Sequence, residues 1–195
     1  MSSNVSVIAG LGNPEERYAQ TLHNAGFWMV DEIARRENVS FKYEKRFDAD
    51  IGRVSIEGNE IWLVKPQSYM NLSGGPIRAV LDYYRLPVEN LLVAHDEIDL
   101  PPGTVRLKRS GGHGGHNGLR DLIRHCGKDF MRMRIGVGHP GEKDKVTGYV
   151  LKRAASDLEA VLQQSVDAAV DIVPVLVDRG LDEAMKALHT KTDQQ

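Results

Sequence analysis

The stretch SGGHGGHNG, residues 110–118, carries the most conspicuous group of chemically active side chains in this sequence. A glycine-rich loop can bind phosphate through its backbone amides, and paired histidines can bind a metal ion or move a proton. The spacing of His113 and His116 allows zinc binding, but the sequence has no H-E-x-x-H motif and only one cysteine, Cys126. It also has no G-x-x-x-x-G-K-[ST] phosphate loop. We therefore expect no metal, while a metal-dependent hydrolase using both histidines stays open as an alternative.

Other familiar reaction centres are poorly matched. GLGNPEERY (10–18) lacks the last glycine of a dinucleotide-binding loop, and Pro14 interrupts the strand-to-helix turn that such a loop needs. There is no G-x-S-x-G nucleophile motif, and Cys126 ends a predicted apolar helix, where it is expected to pack. Hydrolysis by direct attack of water is the chemistry that stays possible. It needs a base, a group that orients the base and donors for the developing oxyanion.

Several polar residues have the right types for those roles. An imidazole such as His23 has a pKa near neutrality, and a carboxylate such as Asp96 can fix its tautomer. Asn13, Asn71 and Asn117 can hold a carbonyl, a hydroxyl or the water. Each residue also has a structural explanation, since asparagines and histidines cap helices or form turns and aspartates form ion pairs. The residue types alone leave these roles open.

Strands and helices alternate along the chain, which predicts an α/β fold with a mixed β-sheet flanked by helices. The predicted strands cover residues 5–12, 48–56, 60–66, 90–99, 101–109 (after a turn) and 131–138, and the predicted helices cover 24–36, 76–84, 117–126, 156–180 and 181–191. Pro174 predicts a kink or break in the fourth helix. Because no long linker or repeat divides the chain, we predict a single domain over residues 1–191, with a helical C-terminal section and a polar tail at 192–195.

Polar clusters fall where predicted strands end. They lie at residues 12–14, 22–26, 69–75 and 95–99, and the glycine-rich loop is a fifth cluster. Ligands of open α/β sheets bind where strands end and loops begin. We therefore expect these clusters to form one site.

Composition and charge narrow the class of protein. Of 195 residues, 41% are hydrophobic and 27% are charged, as in soluble globular proteins. We expect no apolar run long enough to span a bilayer, the N-terminus lacks the pattern of a secretory signal, and one cysteine suits a reducing cytoplasm. Residues 106–145 contain ten Lys/Arg and four Asp/Glu, a net charge of +6, while the rest contains fifteen and twenty-three, a net charge of −8. This asymmetry favours a basic face that binds a polyanion, although independently solvated side chains would also explain it.

Six segments together resemble the bacterial peptidyl-tRNA hydrolase family, in the same order and across essentially the whole chain. They are GLGNP (10–14), TLHNAGF (21–27), KPQSYMNLSG (65–74), AHDEIDLPPG (94–103), GGHGGHNGLR (111–120) and MRIGVGHPG (133–141). The resemblance implies hydrolysis of the ester between a peptide and the 3′-terminal ribose of tRNA, which recycles tRNA from prematurely released peptidyl-tRNA. It further implies a monomer that needs no cofactor or metal and whose partner is tRNA with its nascent peptide.

The resemblance also assigns roles to individual residues. It implies that His23 activates water, that Asp96 holds His23 in its active form and that Asn13 helps to distinguish blocked from free aminoacyl groups. It places Asn71 among the catalytic residues, with Asn71 or Asn117 supporting the oxyanion. The implied contacts to the tRNA end and the peptide are Tyr18, Tyr69, Met70 as an apolar wall, Asn71, His116 and Asn117.

We expect the basic segment to bind the phosphates of the tRNA acceptor stem through Arg106, Lys108 and Arg134. Two positions depart from the family pattern: Glu15 stands where a glycine is common, and Leu22 stands where an arginine is common. Because some relatives act in RNA splicing, an RNA-binding module without catalysis is the second hypothesis. The presence of His23, Asp96 and the three asparagines favours the enzyme.

Overall fold

The computed structural model describes residues 5–193, which contain one mixed β-sheet. Its strands are β1 Val7–Gly10, β2 Lys42–Glu44, β3 Ala49–Ile56, β4 Asn59–Pro66, β5 Leu91–Glu97, β6 Val105–Arg109 and β7 Met131–Gly136. They are arranged in the order β2-β3-β4-β1-β5-β7-β6. Strands β1, β4, β5 and β7 run parallel, whereas β3 and β6 run antiparallel to the neighbours β4 and β7. The predicted α/β fold with a mixed sheet is confirmed.

Helices cover both faces of the sheet. They are α1 Ala25–Arg36, α2 Gly74–Tyr83, α3 Asn117–Cys126, α4 Val146–Val150, α5 Ser156–Asp171, α6 Val173–Arg179 and α7 Leu181–Asp193. Apolar residues of α1, α5, α6 and α7 share one buried core with the sheet, and those of α2 and α3 share a second core on the opposite face. The result is a three-layer domain whose sheet is buried on both sides.

Most predicted elements form within a few residues of the predicted ends. Glu57 and Gly58, with φ of 50° and 75°, make the tight turn between β3 and β4, and positive φ at both residues is typical of a two-residue hairpin turn. The long predicted helix 156–180 breaks at Ile172, just before Pro174, which lies in the first turn of α6. Strand β2 and helix α4, which are only 3 and 5 residues long, were not predicted.

The ends of the predicted domain are described in part. Helix α7 continues to Asp193, so residues 192 and 193, which were assigned to the polar tail, are helical. Residues 1–4 of the predicted domain and residues 194–195 of the predicted tail lie outside the described residues. The domain limits therefore stay a prediction.

The expectation that no apolar run approaches membrane-spanning length is wrong by length and composition. Ser156–Arg179, which comprises α5 and α6, is long and apolar enough to cross a bilayer. In the fold, 56% of its apolar window is buried, and Leu162, Val166 and Leu176 are fully enclosed by the protein. This packing is that of helices belonging to a protein core.

Two glycines bring the start of α1 against the sheet. A Cβ atom on Gly26 would lie 2.2 Å from the carbonyl oxygen of Ala94 in β5, and one on Gly10 would lie 2.3 Å from the carbonyl oxygen of Gly26. No other residue type allows backbone to approach this closely. Since His23 lies two residues before α1 and Asp96 follows Ala94 by two residues, this contact sets the distance between His23 and Asp96.

Candidate active site

Loops at one edge of the sheet enclose a cavity of about 710 Å³. Strands β1, β4, β5 and β7 run parallel and so all end at this edge, which brings the segments that follow them together. The predicted site residues that line the cavity are Asn13, His23, Tyr69, Met70, Asn71, Asp96, His116 and Asn117. The predicted convergence of the polar clusters is therefore confirmed.

A histidine–carboxylate pair lies in the wall of this cavity. His23 Nδ1 is 3.0 Å from Oδ1 and 2.9 Å from Oδ2 of Asp96, which is 3% exposed. A carboxylate can only accept, so Nδ1 carries the proton and donates it. The other ring nitrogen, Nε2, is then the unprotonated one and can take a proton from water. A short 3₁₀ turn over Leu22–Asn24, which leads into α1, positions His23.

His116 is a second histidine on the same carboxylate. Its Nε2 lies 2.8 Å from Asp96 Oδ1, while its Nδ1 accepts the backbone N–H groups of Gly118 and Leu119 at 3.1 and 3.2 Å. His116 is thus the N-cap of α3, and the two backbone donors place its proton on Nε2. Both ring nitrogens are used inside the protein, so any contact with a peptide would involve the ring carbons. This role of His116 was missed because the cap and the carboxylate meet only in the fold.

Burial and charge act in opposite directions on the pKa of the pair. Burial acts to lower the pKa of His23, but the charge of Asp96 and the hydrogen bond to it outweigh burial and hold the pKa above the ordinary 6.5. For Asp96, burial acts to raise the pKa, but the two imidazoles hold it well below its usual range. Asp96 is therefore ionised, and His23 is a stronger base than an ordinary histidine.

A buried pair of asparagines holds the loop after β1. The side-chain Oδ1 of Asn24 accepts the backbone N–H of Asn13 at 2.8 Å, and its Nδ2 donates to the Asn13 carbonyl at 3.0 Å. The side-chain Oδ1 of Asn13 in turn accepts the backbone N–H of Met70 at 2.9 Å. Because Asn13 Oδ1 is occupied, its NH₂ group is the part that can donate to a ligand. Asn24 was not predicted, although it stands beside His23 in the motif LHNAG.

The other predicted substrate contacts differ in their placement. Tyr69 and Met70 both line the cavity, but Tyr69 is 57% exposed whereas Met70 is buried. Asn71 is exposed, and the Oδ1 of Asn117 accepts from Arg120 at 3.1 Å. Tyr18 does not line the cavity; Arg17 stacks on its ring, with the guanidinium carbon 4.6 Å from the ring centroid. The structure therefore does not place Tyr18 with the other contacts.

The glycine-rich loop is held by a buried arginine that sequence reasoning missed. Arg132, 3% exposed in β7, donates to the carbonyl oxygens of Gly111 and Gly112. Ser110 and Gly111 have φ of 64° and 117°, a left-handed backbone that glycine adopts most readily. The loop is thus anchored at its start and delivers His116 and Asn117 to the cavity. An arginine within the apolar pattern of MRMRIGVG is the signal that could have found this contact.

The predicted phosphate ligands share one face of strands β6 and β7. In the antiparallel register of the two strands, Arg106 lies opposite Arg134, and Lys108 lies opposite Arg132. Lys108 is exposed, and its ammonium group lies beside Gly111, where an added Cβ would approach it to 2.8 Å. Arg134 donates to Glu97, a cavity residue, at 2.9 Å, so its charge is already paired. We call Arg106, Lys108 and Arg134 the basic strip.

The two departures from the family pattern have local explanations. The carboxylate of Glu15 accepts from Arg17 at 2.9 Å on the surface. Leu22 is 2% exposed and packs in a small core with Val137, Ala154 and Leu162. Leu22 therefore joins the active-site turn to the C-terminal helices by apolar contact.

The donor set is poorly suited to a metal ion. Ring nitrogens of His23 and His116 and an oxygen of Asp96 lie within 4.8 Å of one another, a spacing that a metal could use. A metal on His116 Nε2 would have to displace its proton while Nδ1 still accepts two backbone hydrogens, which leaves the ring without a proton site. His113, named in the metal alternative, does not line the cavity, and its Nδ1 accepts the Gly115 amide at 2.9 Å.

Fold and site together define an α/β enzyme of the hydrolase class, in which a carboxylate-held histidine faces a substrate cavity. The family model described as peptidyl-tRNA hydrolase matches residues 7–195. The peptidyl-tRNA hydrolase of Vibrio vulnificus is 47% identical to the chain, over 97% of the chain and 98% of its own length. That of Halorhodospira halophila is 52% identical, over 94% of the chain and 95% of its own length. The crystal structure of peptidyl-tRNA hydrolase from Acinetobacter baumannii, at 44% identity, superposes with a TM-score of 0.93 over 97% of this chain and 96% of that one.

The chain belongs to the peptidyl-tRNA hydrolase family. Members of this family cleave the ester bond of peptidyl-tRNA and so recycle tRNA. The family and fold that the six sequence motifs predict are therefore confirmed.

Proposed function

We propose that the chain carries out the reaction of its family with His23 as the general base. The observation that supports this most strongly is the hydrogen bond between His23 Nδ1 and the buried Asp96, at 2.9 Å, in a ring that lines the cavity. It leaves Nε2 unprotonated toward the substrate. The substrate is the ester between a peptidyl carboxyl group and the 3′-terminal ribose of tRNA.

In the first step, a water oxygen attacks the ester carbonyl while its proton passes to His23 Nε2. The imidazolium that forms is stabilised by Asp96, whose negative charge lies in direct contact with the ring. The carbonyl oxygen becomes an oxyanion, for which the amide groups of Asn71 and Asn117 are the donors in the cavity wall. Among the described residues that line the cavity there is no serine or cysteine, which supports water as the nucleophile.

In the second step, the tetrahedral intermediate collapses and the bond to the ribose oxygen breaks. His23 Nε2 returns its proton to that oxygen, which leaves tRNA with a free 3′-terminal hydroxyl and the peptide with a free carboxylic acid. The ring is neutral again after each turnover, so one histidine acts as base and then as acid.

Asn13 explains a preference for blocked substrates. Because its Oδ1 already accepts the Met70 amide, it presents an NH₂ group to the cavity. An NH₂ group can donate to the carbonyl oxygen of a peptide bond, but it repels the ammonium group of a free aminoacyl ester. The apolar wall of Met70, Ile98, Val146 and Val150 accommodates the peptide side chains.

The basic strip supports binding of the tRNA backbone. Lys108 is exposed and lies beside the glycine-rich loop, which reaches the cavity through Gly114 and Gly115. Phosphate contacts position a nucleic acid without recognising its bases, which suits an enzyme that accepts many tRNAs. Arg134 contributes to these phosphate contacts by donating both to Glu97 and to a phosphate group. We further propose that the chain acts in the cytoplasm, without a cofactor and as a monomer. Light scattering tests the monomer, for which the expected mass is 21.7 kDa.

One assay separates this function from its alternatives. The protein is incubated with N-acetylated aminoacyl-tRNA and with free aminoacyl-tRNA, each with and without EDTA. The proposal requires release of the acyl group from the acetylated substrate alone, at the same rate with EDTA. Binding of the tRNA without turnover would instead support an RNA-binding module, and loss of turnover in EDTA would support a metal-dependent hydrolase.

A further inference from the structure

A third histidine lies beside the catalytic carboxylate. His95 precedes Asp96 in β5, is 2% exposed and has no place in the reaction steps above. Its Nδ1 lies 2.8 Å from the backbone carbonyl oxygen of Asp96. A carbonyl can only accept, so Nδ1 carries the proton and donates it. The neutral ring therefore ties down the backbone of the residue on which His23 and His116 converge.

His95 also packs against the histidine that caps α3. The rings of His95 and His116 meet edge to face, with centroids 5.3 Å apart and an angle of 72° between the planes. The centroid of the His116 ring also lies 4.8 Å from that of the His23 ring. His116 is thus in ring contact with both imidazoles, and the contact with His95 limits the orientations from which its Nε2 can reach Asp96.

Filling space does not by itself explain a histidine at this position. The Nε2 of His95 is buried and has no hydrogen-bond partner among the described protein atoms. An unpaired polar atom in the protein interior lowers stability, and an apolar side chain of similar size would avoid that loss. Val93, two residues earlier on the same face of β5, is apolar and fully buried. Residue 95 therefore departs from this apolar pattern, and its side chain is the one that donates to the Asp96 carbonyl oxygen.

Burial keeps the third imidazole neutral. It lowers the pKa of His95 to about 4, and the neighbouring His116 acts in the same direction. A charged ring here would compete with His23 for the negative charge of Asp96.

We propose that His95 is a positioning residue for ester hydrolysis, which acts through the backbone of Asp96 and the ring of His116. It fixes the carboxylate so that both histidine donors stay on it and His23 keeps its reactive tautomer. The inference rests on the proposed function. It assigns His95 no contact with substrate, so its loss should lower kcat and leave KM nearly unchanged.

Two substitutions separate positioning from packing. His95→Asn places an amide N–H where Nδ1–H lies, whereas His95→Leu fills similar space without a donor. We expect H95L to lower kcat about 10- to 100-fold, the range of a lost supporting contact in a catalytic site, and H95N to recover most of it. KM for N-acetylated aminoacyl-tRNA should change less than about twofold in both. If His95 only filled space, the apolar variant would be the more active one, and that order would overturn the proposal.

A control and a double-mutant cycle complete the test. Val93→Ala also disturbs buried β5 packing, and it should lower the melting temperature while kcat is kept; an equal loss of kcat would overturn the proposal. His95→Leu combined with His116→Ala should lose much less activity than the product of the single losses, whereas independent effects would contradict action through His116. If H95L is unfolded at the assay temperature, His95→Ala replaces it with the same requirement. Wild-type turnover of the acetylated substrate is measured in parallel, so a failure of the proposed function is seen separately.

Discussion

The cavity and the basic strip hold charged side chains in opposite environments, one buried and the other exposed to solvent. Asp96 is almost completely buried, and its two histidine partners lie within hydrogen-bond distance. Lys108 in the basic strip is exposed to solvent. A charge inside the protein acts strongly because water does not screen it, whereas an exposed charge acts at long range and is weakened by salt. We therefore expect the buried cluster to control the rate of chemistry and the strip to control tRNA binding.

Asp96→Asn should show the largest loss on the buried side of this comparison. The amide cannot hold the His23 tautomer or stabilise the imidazolium, so kcat should fall about 10³-fold or more, as in other histidine–carboxylate pairs. The remaining activity should show a shifted pH profile. Asp96 holds the pKa of His23 above 6.5, so its loss lowers that pKa and moves the acid limb of kcat to lower pH.

The control for this prediction is Asp82→Asn, on an exposed carboxylate of α2 that pairs with Arg78. It should leave both kcat and the pH profile as they are in the wild type. An acid limb that stays in place in Asp96→Asn would show that Asp96 does not set the basicity of the catalytic group.

Gly26→Ala tests the backbone contact that places the two halves of the pair. The new Cβ would lie 2.2 Å from the Ala94 carbonyl oxygen, so the start of α1 must move away from β5. We expect about 1–3 kcal/mol of destabilisation from overpacking. Because His23 moves with α1, kcat should also fall by about 10- to 100-fold, as misplacement by 1 Å can do.

Gly75→Ala in α2 is the matched substitution, because its Cβ would meet no atom within 4 Å. It should leave melting temperature and kcat near wild-type values. Thermal unfolding and steady-state kinetics check both variants. Full activity in Gly26→Ala would mean that the glycine contact does not set the position of His23.

Lys108→Ala should have the smallest effect, and a different kind of effect. Binding of tRNA should weaken about 3- to 10-fold at low salt, kcat should persist, and the slope of log K against log salt should decrease by about 0.7–0.9 for one lost phosphate contact. Lys42→Ala, on β2 at the opposite edge of the sheet, is the control and should leave the slope unchanged. Equal slopes for wild type and Lys108→Ala would remove Lys108 from the phosphate contacts.

The same division between buried and exposed residues explains what sequence could predict. Periodicity and turn residues located the main strands and helices because they reflect local preferences. The pair of His23 and Asp96 could be proposed because its chemistry needs few residue types. Short elements such as α4 carry too little pattern to be recognised, although Val146 and Val150 of α4 line the cavity.

Roles that depend on the second hydrogen-bond partner of a side chain could not be predicted. His116 was expected to contact the peptide, but its two nitrogens bond to Asp96 and to the start of α3. Arg132 and Asn24 act through backbone carbonyls and amides that become neighbours only after folding. Tyr18 was expected among the contacts to the tRNA end and the peptide; it does not line the cavity, and its contact with substrate stays a prediction.

Single-turnover hydrolysis by His23→Ala tests the central claim most directly. In separate reactions, an excess of the variant or of the wild type is mixed with N-acetylated aminoacyl-tRNA. The affinity of each protein for tRNA is measured separately. Removal of a general base should slow acyl release by about 10²- to 10⁴-fold while the Kd for tRNA changes little. Acyl release within about tenfold of the wild-type rate, below the smallest loss expected for a general base, would contradict the assignment of His23 as the group that activates water.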